Sequence, residues 1–363
     1  MSLSENQLLE TLRCPRCHGG LTWSVHAGDT RQLFCQRCKE AFPIIAGIPR
    51  MLLSPLREAL LGKGVAKGAD AIQVETALSF GFEWSRFPEI YEEWNQSFLN
   101  YMQPHGPEFF RGKKVLDAGC GNGRFAYHAA KYGAEVWAID LGPAVEVARR
   151  NTDSAGEVQV VQADLHQPPF VLESFDFICS IGVLHHLPNP EAAFQSLVRF
   201  LKPGGEIQIY LYWKPEGRPI KRALLAAVKA VRQITTRLPR EVVHALAFPA
   251  ALAAFAFFVW PYQVLKKTPG FGRLAEDLPM KQYASFPFRV CVNDQLDRLS
   301  APIENRYTRQ EVAEWLSRAG LEQSTVSAAY GWVGTGRKPT PSCRCEKDDD
   351  LGGRTLNTAV SNW

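Results

Sequence analysis

The stretch from Lys113 to Ala126, KKVLDAGCGNGRFA, constrains the fold most: an apolar strand ends in an acid and opens into glycines at every second position. Val115 and Leu116 read as a buried strand. Gly119, Gly121 and Gly123 read as a turn whose missing side chains let a ligand approach the backbone. A helix starting at Phe125 and running to Tyr132 points its first amides back at that turn, where a carboxylate or phosphate can sit. Gly121, Gly123 and Ala126 fit the dinucleotide-binding spacing only loosely. Asp117 separates the readings: an acid at the strand's carboxyl end repels a diphosphate and suits a ligand with an amino group and a sulfonium. The strands and helices that alternate after it predict an α/β fold, a doubly wound and mostly parallel sheet with ligand at the strands' carboxyl ends.

VLDAGCGNGRFA resembles the first motif of the class I S-adenosylmethionine-dependent methyltransferases. AEVWAIDLGPAVEVARRN resembles the second strand and helix of that family, and the resemblance implies that Asp140, followed by Leu141, takes the ribose hydroxyls. VQADLHQPPF resembles the third segment, with Asp164 at the adenine amino group and Leu165 beside it. FDFICSIGVLHHLPNPEAAFQSLVRFLKPGGEIQIYLY resembles the fourth strand, its helix and the fifth strand. The match covers Gly112 to Trp213 and, more loosely, Thr308 to Ser327. It implies a Rossmann-like methyltransferase sheet with S-adenosylmethionine as cofactor and Asp117, Gly119, Gly121, Asp140, Leu141, Asp164, Leu165 and Ser180 as binding residues. The fourth strand lacks the Asn/Asp-Pro-Pro-aromatic sequence of adenine and cytosine amino methyltransferases. It resembles the quinone, sterol and small-molecule branch, which implies oxygen or carbon acceptors ahead of amines.

Cys14-Pro-Arg-Cys17 and Cys35-Gln-Arg-Cys38 are two C-x-x-C knuckles separated by 17 residues, the spacing of a four-thiolate structural zinc ribbon. A module this small buries too little to fold without metal, and four thiolates leave no open position for catalysis. The segment AFPIIAGIPRML that follows resembles the end of small zinc-ribbon proteins that partner RNA and translation-factor methyltransferases. No secretory signal is visible in the polar start, where Ser4 and Gln7 predict a capped helix, and the expectation is a cytoplasmic protein whose nine cysteines stay reduced.

The domains expected are a zinc ribbon (1–53), a linker with aromatic lid helices (54–111), the S-adenosylmethionine-binding core (112–213), a basic hydrophobic helical insertion (214–300), the final helix and strands of the core (301–336) and a disordered tail (337–363). Pro55 to Asp70 reads as linker. Trp84, Phe87, Tyr91 and Trp94 belong to an aromatic stripe that is either a lid over the substrate mouth or helix core. Tyr210, Tyr212 and Trp213 read as walls of the substrate pocket, and Trp84 joins them if the stripe is a lid. Methyl transfer is an in-line displacement driven by positioning, with a base needed only where the nucleophile carries a proton. His185 is the candidate base, against a structural role in holding the loop.

Lys214 to Arg273 holds eleven Lys and Arg against two Glu, a net of +9 in a chain whose total is +4. Ile220, Leu224, Ala227, Val231, Ile234 and Leu238 recur at helical spacing with Arg222, Lys229 and Arg232 off the stripe, which predicts a basic amphipathic helix. Val242 to Leu265 is nearly all apolar and long enough to span a bilayer, but the chain must return to finish its sheet. Three readings stand: a monotopic hairpin in an anionic membrane surface, peripheral at the inner face of the membrane; a hydrophobic lid or dimer interface; and, last, a true span. Asp294, Asp297 and Arg298 shape the substrate entrance or form a surface ion-pair network.

The leading expectation is methyl transfer to a hydrophobic small-molecule or lipid-like acceptor. Two alternatives remain open. One is an RNA methyltransferase that docks RNA through Arg13, Arg16, Arg31, Arg37 and Lys39 of the ribbon, and the other is a non-catalytic cofactor-binding platform.

Overall fold

The computed structural model describes residues 4–26, 30–216, 219–272, 275, 278, 280–329 and 331–340. The expected tail, with Cys343 and Cys345, lies from residue 341 onward outside the described residues.

The chain opens with α1 (Glu5–Thr11), started by the Ser4/Gln7 capping box expected there. A small antiparallel sheet follows: β1 (Leu21–His26), β2 (Thr30–Cys35), β3 (Ala41–Ile45) and β4 (Ile48–Pro49). Within the stretch read as linker, the short α2 (Leu56–Leu60), which buries no residue, and the start of α3 (Gly68–Arg86) flank residues 61–67, which are neither helix nor strand. Helix α4 (Glu93–Met102) leads to the central sheet.

That sheet has seven strands in the order β10-β11-β9-β8-β5-β6-β7. Strands β5 (Lys114–Ala118), β6 (Glu135–Asp140), β7 (Val158–Gln162), β8 (Phe175–Ile181) and β9 (Leu201–Leu211) run parallel. Their runs, such as FDFICSI, are apolar because both faces are covered by helices. Strands β10 (Glu322–Ala328) and β11 (Trp332–Arg337) close one edge antiparallel. Alternate side chains of β5 and β6 enter two cores: Leu116, Trp137 and Ile139 on one face, Val115, Val136 and Ala138 on the other. The order reverses between β5 and β8, where a ligand crevice is expected. Helices α5 (Arg124–Lys131), α6 (Ala144–Thr152) and α7 (Pro190–Val198) provide the crossovers.

The ribbon shares a core with the sheet. Leu12, Cys14, Leu33 and Phe42 are buried in one cluster with Leu116, Val161 and Ala163. The Met51 amide donates to the Gln162 carbonyl at 2.8 Å, and Arg50 pairs with Glu146 of α6.

The insertion is a helical subdomain. Helix α8 (Pro219–Thr235) precedes α9 (Arg240–Ala254), which runs through a π-helical turn at Phe255–Val259 into α10 (Trp260–Lys267). Helix α11 (Phe288–Ser300) packs along α9, and their core holds Val243, Ala247, Ala251, Val290 and Leu296. Arg232, expected off the apolar stripe, is instead buried and pairs with Glu304 at 2.5 Å, which ties α8 to the segment that re-enters the sheet. Helix α12 (Arg309–Arg318) starts with the expected Thr308/Glu311 capping box.

Candidate active site

Strand β5 delivers Asp117 and Ala118 to a turn in which Gly119, Gly121 and Gly123 have φ of 89°, 53° and 84°. A side chain at 121 would place its Cβ 2.8 Å from Trp84 Nε1, and one at 119 would meet Val183 at 2.4 Å. Only glycine therefore permits both the backbone path and the close cover above it. Asp117 does not face the ligand crevice. It is 2% exposed, and its carboxylate accepts from the Ala126 amide at 3.0 Å, capping the free amides of α5. Burial, with Asp140 nearby, pushes this carboxyl up to about 7.

A cavity of about 690 Å³ opens at the carboxyl ends of the strands. Gly119, Gly121, Asp140, Leu141, Asp164 and Leu165 line it, all expected from the sequence. The Asp140 carboxylate accepts from the Gly121 amide at 3.0 Å and the Gly142 amide at 2.9 Å, locking the turn between β5 and β6. Asp164 accepts from Gln73 of α3 at 2.9 Å and meets the His166 ring at 2.9 Å. Burial raises the Asp140 carboxyl, while the Asp164 partner outweighs burial to raise the His166 imidazole. This half of the cavity fits S-adenosylmethionine by its donor set: a side-chain-free turn, then two carboxylates at successive strand ends to accept from hydroxyls and an amino group.

Besides Asp117, two further sequence-derived assignments fail on geometry. Ser180 points away from the crevice; it is fully buried and donates to the Ala118 carbonyl at 2.8 Å, so it holds β8 to β5. His185 is also fully buried, behind Tyr212, with ring centroids 3.9 Å apart. Neither of its ring nitrogens makes a full hydrogen bond, and burial and its charged neighbours hold its imidazole well below the usual range. His185 does not line the cavity, so it has no contact there with an acceptor proton. Its neighbour His186 lines the cavity instead and is fixed by the Ile303 carbonyl, 2.6 Å from Nδ1.

Trp94, Tyr210, Tyr212 and Trp213 line the other half of the cavity and Trp84 covers the Gly121 turn, whereas Phe87 is packed into the insertion core and Tyr91 against its edge. The aromatic stripe is thus divided between lid and core. Helix α3 crosses the strand ends: Ala77 abuts Gly142, Gly81 abuts Pro143, and Phe80 stands edge-on to His186 with centroids 4.8 Å apart. Arg124 lies over the Trp94 ring at 4.3 Å. Asp294, Asp297 and Arg298 of α11 also line the cavity. Tyr283 donates to Asp294 at 2.5 Å and Tyr212 to Asp297 at 3.3 Å. Glu83, Asn293 and Arg124 are further wall residues that sequence reading missed. The one available signal for Glu83 was an acid between Phe82 and Trp84 in a helix otherwise rich in aromatics.

In the ribbon, the sulfur atoms of Cys14, Cys17, Cys35 and Cys38 all lie within 4.8 Å of one another. Cys14 and Cys38 are 3.4 Å apart and Cys17 and Cys35 3.5 Å, close to the ~3.8 Å edge of a tetrahedron with Zn–S of about 2.3 Å. The donor set is compatible with structural zinc.

Residues 116–209 match a family model described as a methyltransferase domain, and residues 5–47 match one described as Trm112p-like protein. The ubiquinone biosynthesis O-methyltransferase of Azoarcus sp. (strain BH72) is 32% identical over 180 residues, 47% of this chain and 73% of that protein. The enzyme of the same name from Aliivibrio fischeri (strain MJ11) is 34% identical over 145 residues, 39% of this chain and 59% of that protein. The chain thus spans about three quarters of the first relative and three fifths of the second. A solved complex of the Haloferax volcanii Trm112 methyltransferase activator with a methyltransferase aligns at 15% identity and a TM-score of 0.42, over 72% of this chain and 97% of that one. With its glycine turn, paired strand-end carboxylates and four-thiolate ribbon, the chain belongs to the class I S-adenosylmethionine-dependent methyltransferases, in the branch that holds the ubiquinone O-methyltransferases.

Proposed function

We propose that this enzyme transfers a methyl group to a hydroxyl oxygen of a hydrophobic, quinone-type acceptor taken from an anionic membrane surface. Bound S-adenosylmethionine supplies a methyl group on an already activated sulfonium. In this reading Asp140 orients its ribose, Asp164 its adenine, and the Gly119–Gly121 backbone its amino-acid end, while Trp84, Tyr210, Tyr212 and Trp213 wall the acceptor and exclude water.

One observation carries the membrane part. On the apolar helix Ala247, Ala251 and Ala254 are buried, while the large side chains of Phe248, Leu252, Phe257 and Trp260 are 56–71% exposed. A helix designed for water does the reverse. Arg240–Lys267 is long and apolar enough to cross a membrane by length and composition, but its alanine face is packed on α11, which itself lines the cavity. A helix lying in the interface beside the acceptor chamber accommodates both facts. The relatives named as acting in ubiquinone biosynthesis support a quinone-type acceptor. The RNA reading has weaker support. Arg16 and Arg31 are paired with Glu40 and Glu5, and Arg13 and Arg37 donate to main-chain carbonyls.

The test is co-sedimentation with anionic vesicles and with neutral vesicles, using the full chain and the double variant Phe257→Glu, Trp260→Glu. Both residues are exposed, so folding should hold to about 0.5 kcal/mol. The wild type should pellet with anionic vesicles and the variant should lose at least tenfold in partitioning. Equal partitioning of the two proteins would overturn the surface reading. Methyl label from the donor, incubated with a lysate of cells lacking the gene, should appear in the organic layer. Label confined to RNA would replace the acceptor class.

A further inference from the structure

The two oxygens of the Asp164 carboxylate are differently engaged. Oδ1 accepts from the Gln73 side chain at 2.9 Å and from the His166 amide at 3.1 Å, and it meets the His166 ring at 2.9 Å. Among the described residues no donor is directed at Oδ2, which leaves that oxygen for a ligand in the cavity that Asp164 lines. The His166 ring is engaged at both ends. Its Nδ1 meets Asp164 Oδ1, and its Nε2 lies 3.2 Å from the Asn189 carbonyl at the head of α7. Gln73 Nε2 is also 3.5 Å from Nδ1, but its shorter contact is the one to Asp164. A carboxylate and a carbonyl only accept, and a neutral imidazole carries a single N–H. It could donate to one and would turn a lone pair on the other, whereas an imidazolium donates to both.

We infer that His166 is the positioning residue of the adenine subsite: in its charged form it braces Asp164 Oδ1 against the head of α7, leaves Oδ2 aimed at the adenine amino group, and makes nucleoside affinity depend on pH. This rests on the reading of Asp164 as the partner of adenine. With the proton in place, the loop after β7 and the segment after β8 are tied together beside the crevice. The Ser196 hydroxyl of α7 donates to the His166 carbonyl at 3.2 Å and fixes the same loop from its main chain.

The charged groups around the ring favour that state. Burial opposes the charge, but the bond and charge of Asp164, then the Asn189 carbonyl and the charge of Asp70 on α3, outweigh it and raise the imidazole above its ordinary value. A raised value means that the brace is complete in acid and is lost as pH rises through it. By linkage, a nucleoside that prefers the braced form binds more weakly above that value and takes up a proton on binding there. One proton limits the loss to about tenfold per pH unit.

The first measurement uses the full chain without ligand, its histidine rings labelled with nitrogen-15. Ring nitrogen shifts separate imidazolium from both neutral tautomers, and His166→Asn identifies the signal among eight histidines. The His166 midpoint should lie above that of free histidine, with both nitrogens protonated below it. A midpoint at or below that of free histidine overturns the inference. The second measurement is calorimetric binding of 5′-methylthioadenosine from about pH 6 to about pH 9. This nucleoside lacks the amino-acid end, so its own charge stays constant. Asn at this position can still donate to Asp164 but does not titrate, and Asp140 is the same in both proteins. The ratio of wild-type to variant affinity should fall at least about threefold across the range, with greater proton uptake by the wild type. A ratio independent of pH, as a purely structural ring would give, overturns the positioning role. Asp164→Asn separates this from the reading beneath it, since it should weaken the nucleoside about tenfold throughout the range. If it binds as the wild type does, the adenine assignment falls and the positioning role with it, whatever the charge on the ring.

Discussion

Gly119, Asp140 and Asp164, in one half of the cavity, each stand at or just past the carboxyl end of a parallel strand. Glu83, Trp94 and Asn293, in the other half, come from three helices that are distant in sequence. The first half is made by the sheet itself: once β5, β6 and β7 pair in register, the three positions converge on the crevice. The second half exists only because α11 of the insertion is laid against α3. A fold of this kind can therefore keep its donor chemistry while the acceptor end is rebuilt by whatever is inserted after β9.

The largest expected effect sharpens that contrast from behind the sheet. Cys35→Ser, or stripping the metal with a chelator, should cost several kcal/mol, because the ribbon's Leu12, Leu33 and Phe42 share their core with Val161, Ala163 and Leu165 under the donor half. Thermal unfolding of treated and untreated protein reads it directly, and an unmoved midpoint would mean the ribbon is an independent bead. Next comes Leu296→Ala, a fully packed position of the insertion core, at about 2–5 kcal/mol. It should loosen the acceptor half alone, seen as faster proteolysis within 240–300 and weaker acceptor binding. If affinity for S-adenosylhomocysteine fell in parallel, the two halves would be one cooperative unit. Asp140→Ala is the converse, with a loss of about 2 kcal/mol or more in cofactor affinity by calorimetry and no change in acceptor-half proteolysis. Unchanged cofactor affinity would break the assignment of the donor half altogether.

The donor half was largely legible in the sequence because its signals are contiguous: a strand, glycines at alternate positions, and acids at strand ends. The ribbon was legible for the same reason, two knuckles whose spacing alone specifies a tetrahedral set. Direction was harder to read. Ser180 and Asp117 lie on strands whose residues alternate between faces, and the face is settled by what packs there: Ala118 for one, the head of α5 for the other. His185 and His186 sit in one short turn, Leu184–His186, and only the covering ring of Tyr212 and the Ile303 carbonyl decide which of them reaches the cavity. The 55–70 stretch read as linker from its glycines, and the short α2 within it buries no side chain, so no apolar periodicity marked it.

By itself the sequence determined that this protein has a donor-binding crevice at the end of β5, a four-thiolate ribbon and an apolar helix flanked by basic residues. Each of these is written in residues near one another in the chain, where local geometry leaves few choices. Only the tertiary structure decided what faces the acceptor. Glu83 and Asn293 reach one cavity wall only through the packing of two helices that no local pattern relates. The outward turn of Phe257 and Trp260 was likewise decided by packing, since α11 fits the narrow alanine face of the helix and leaves the wide one uncovered.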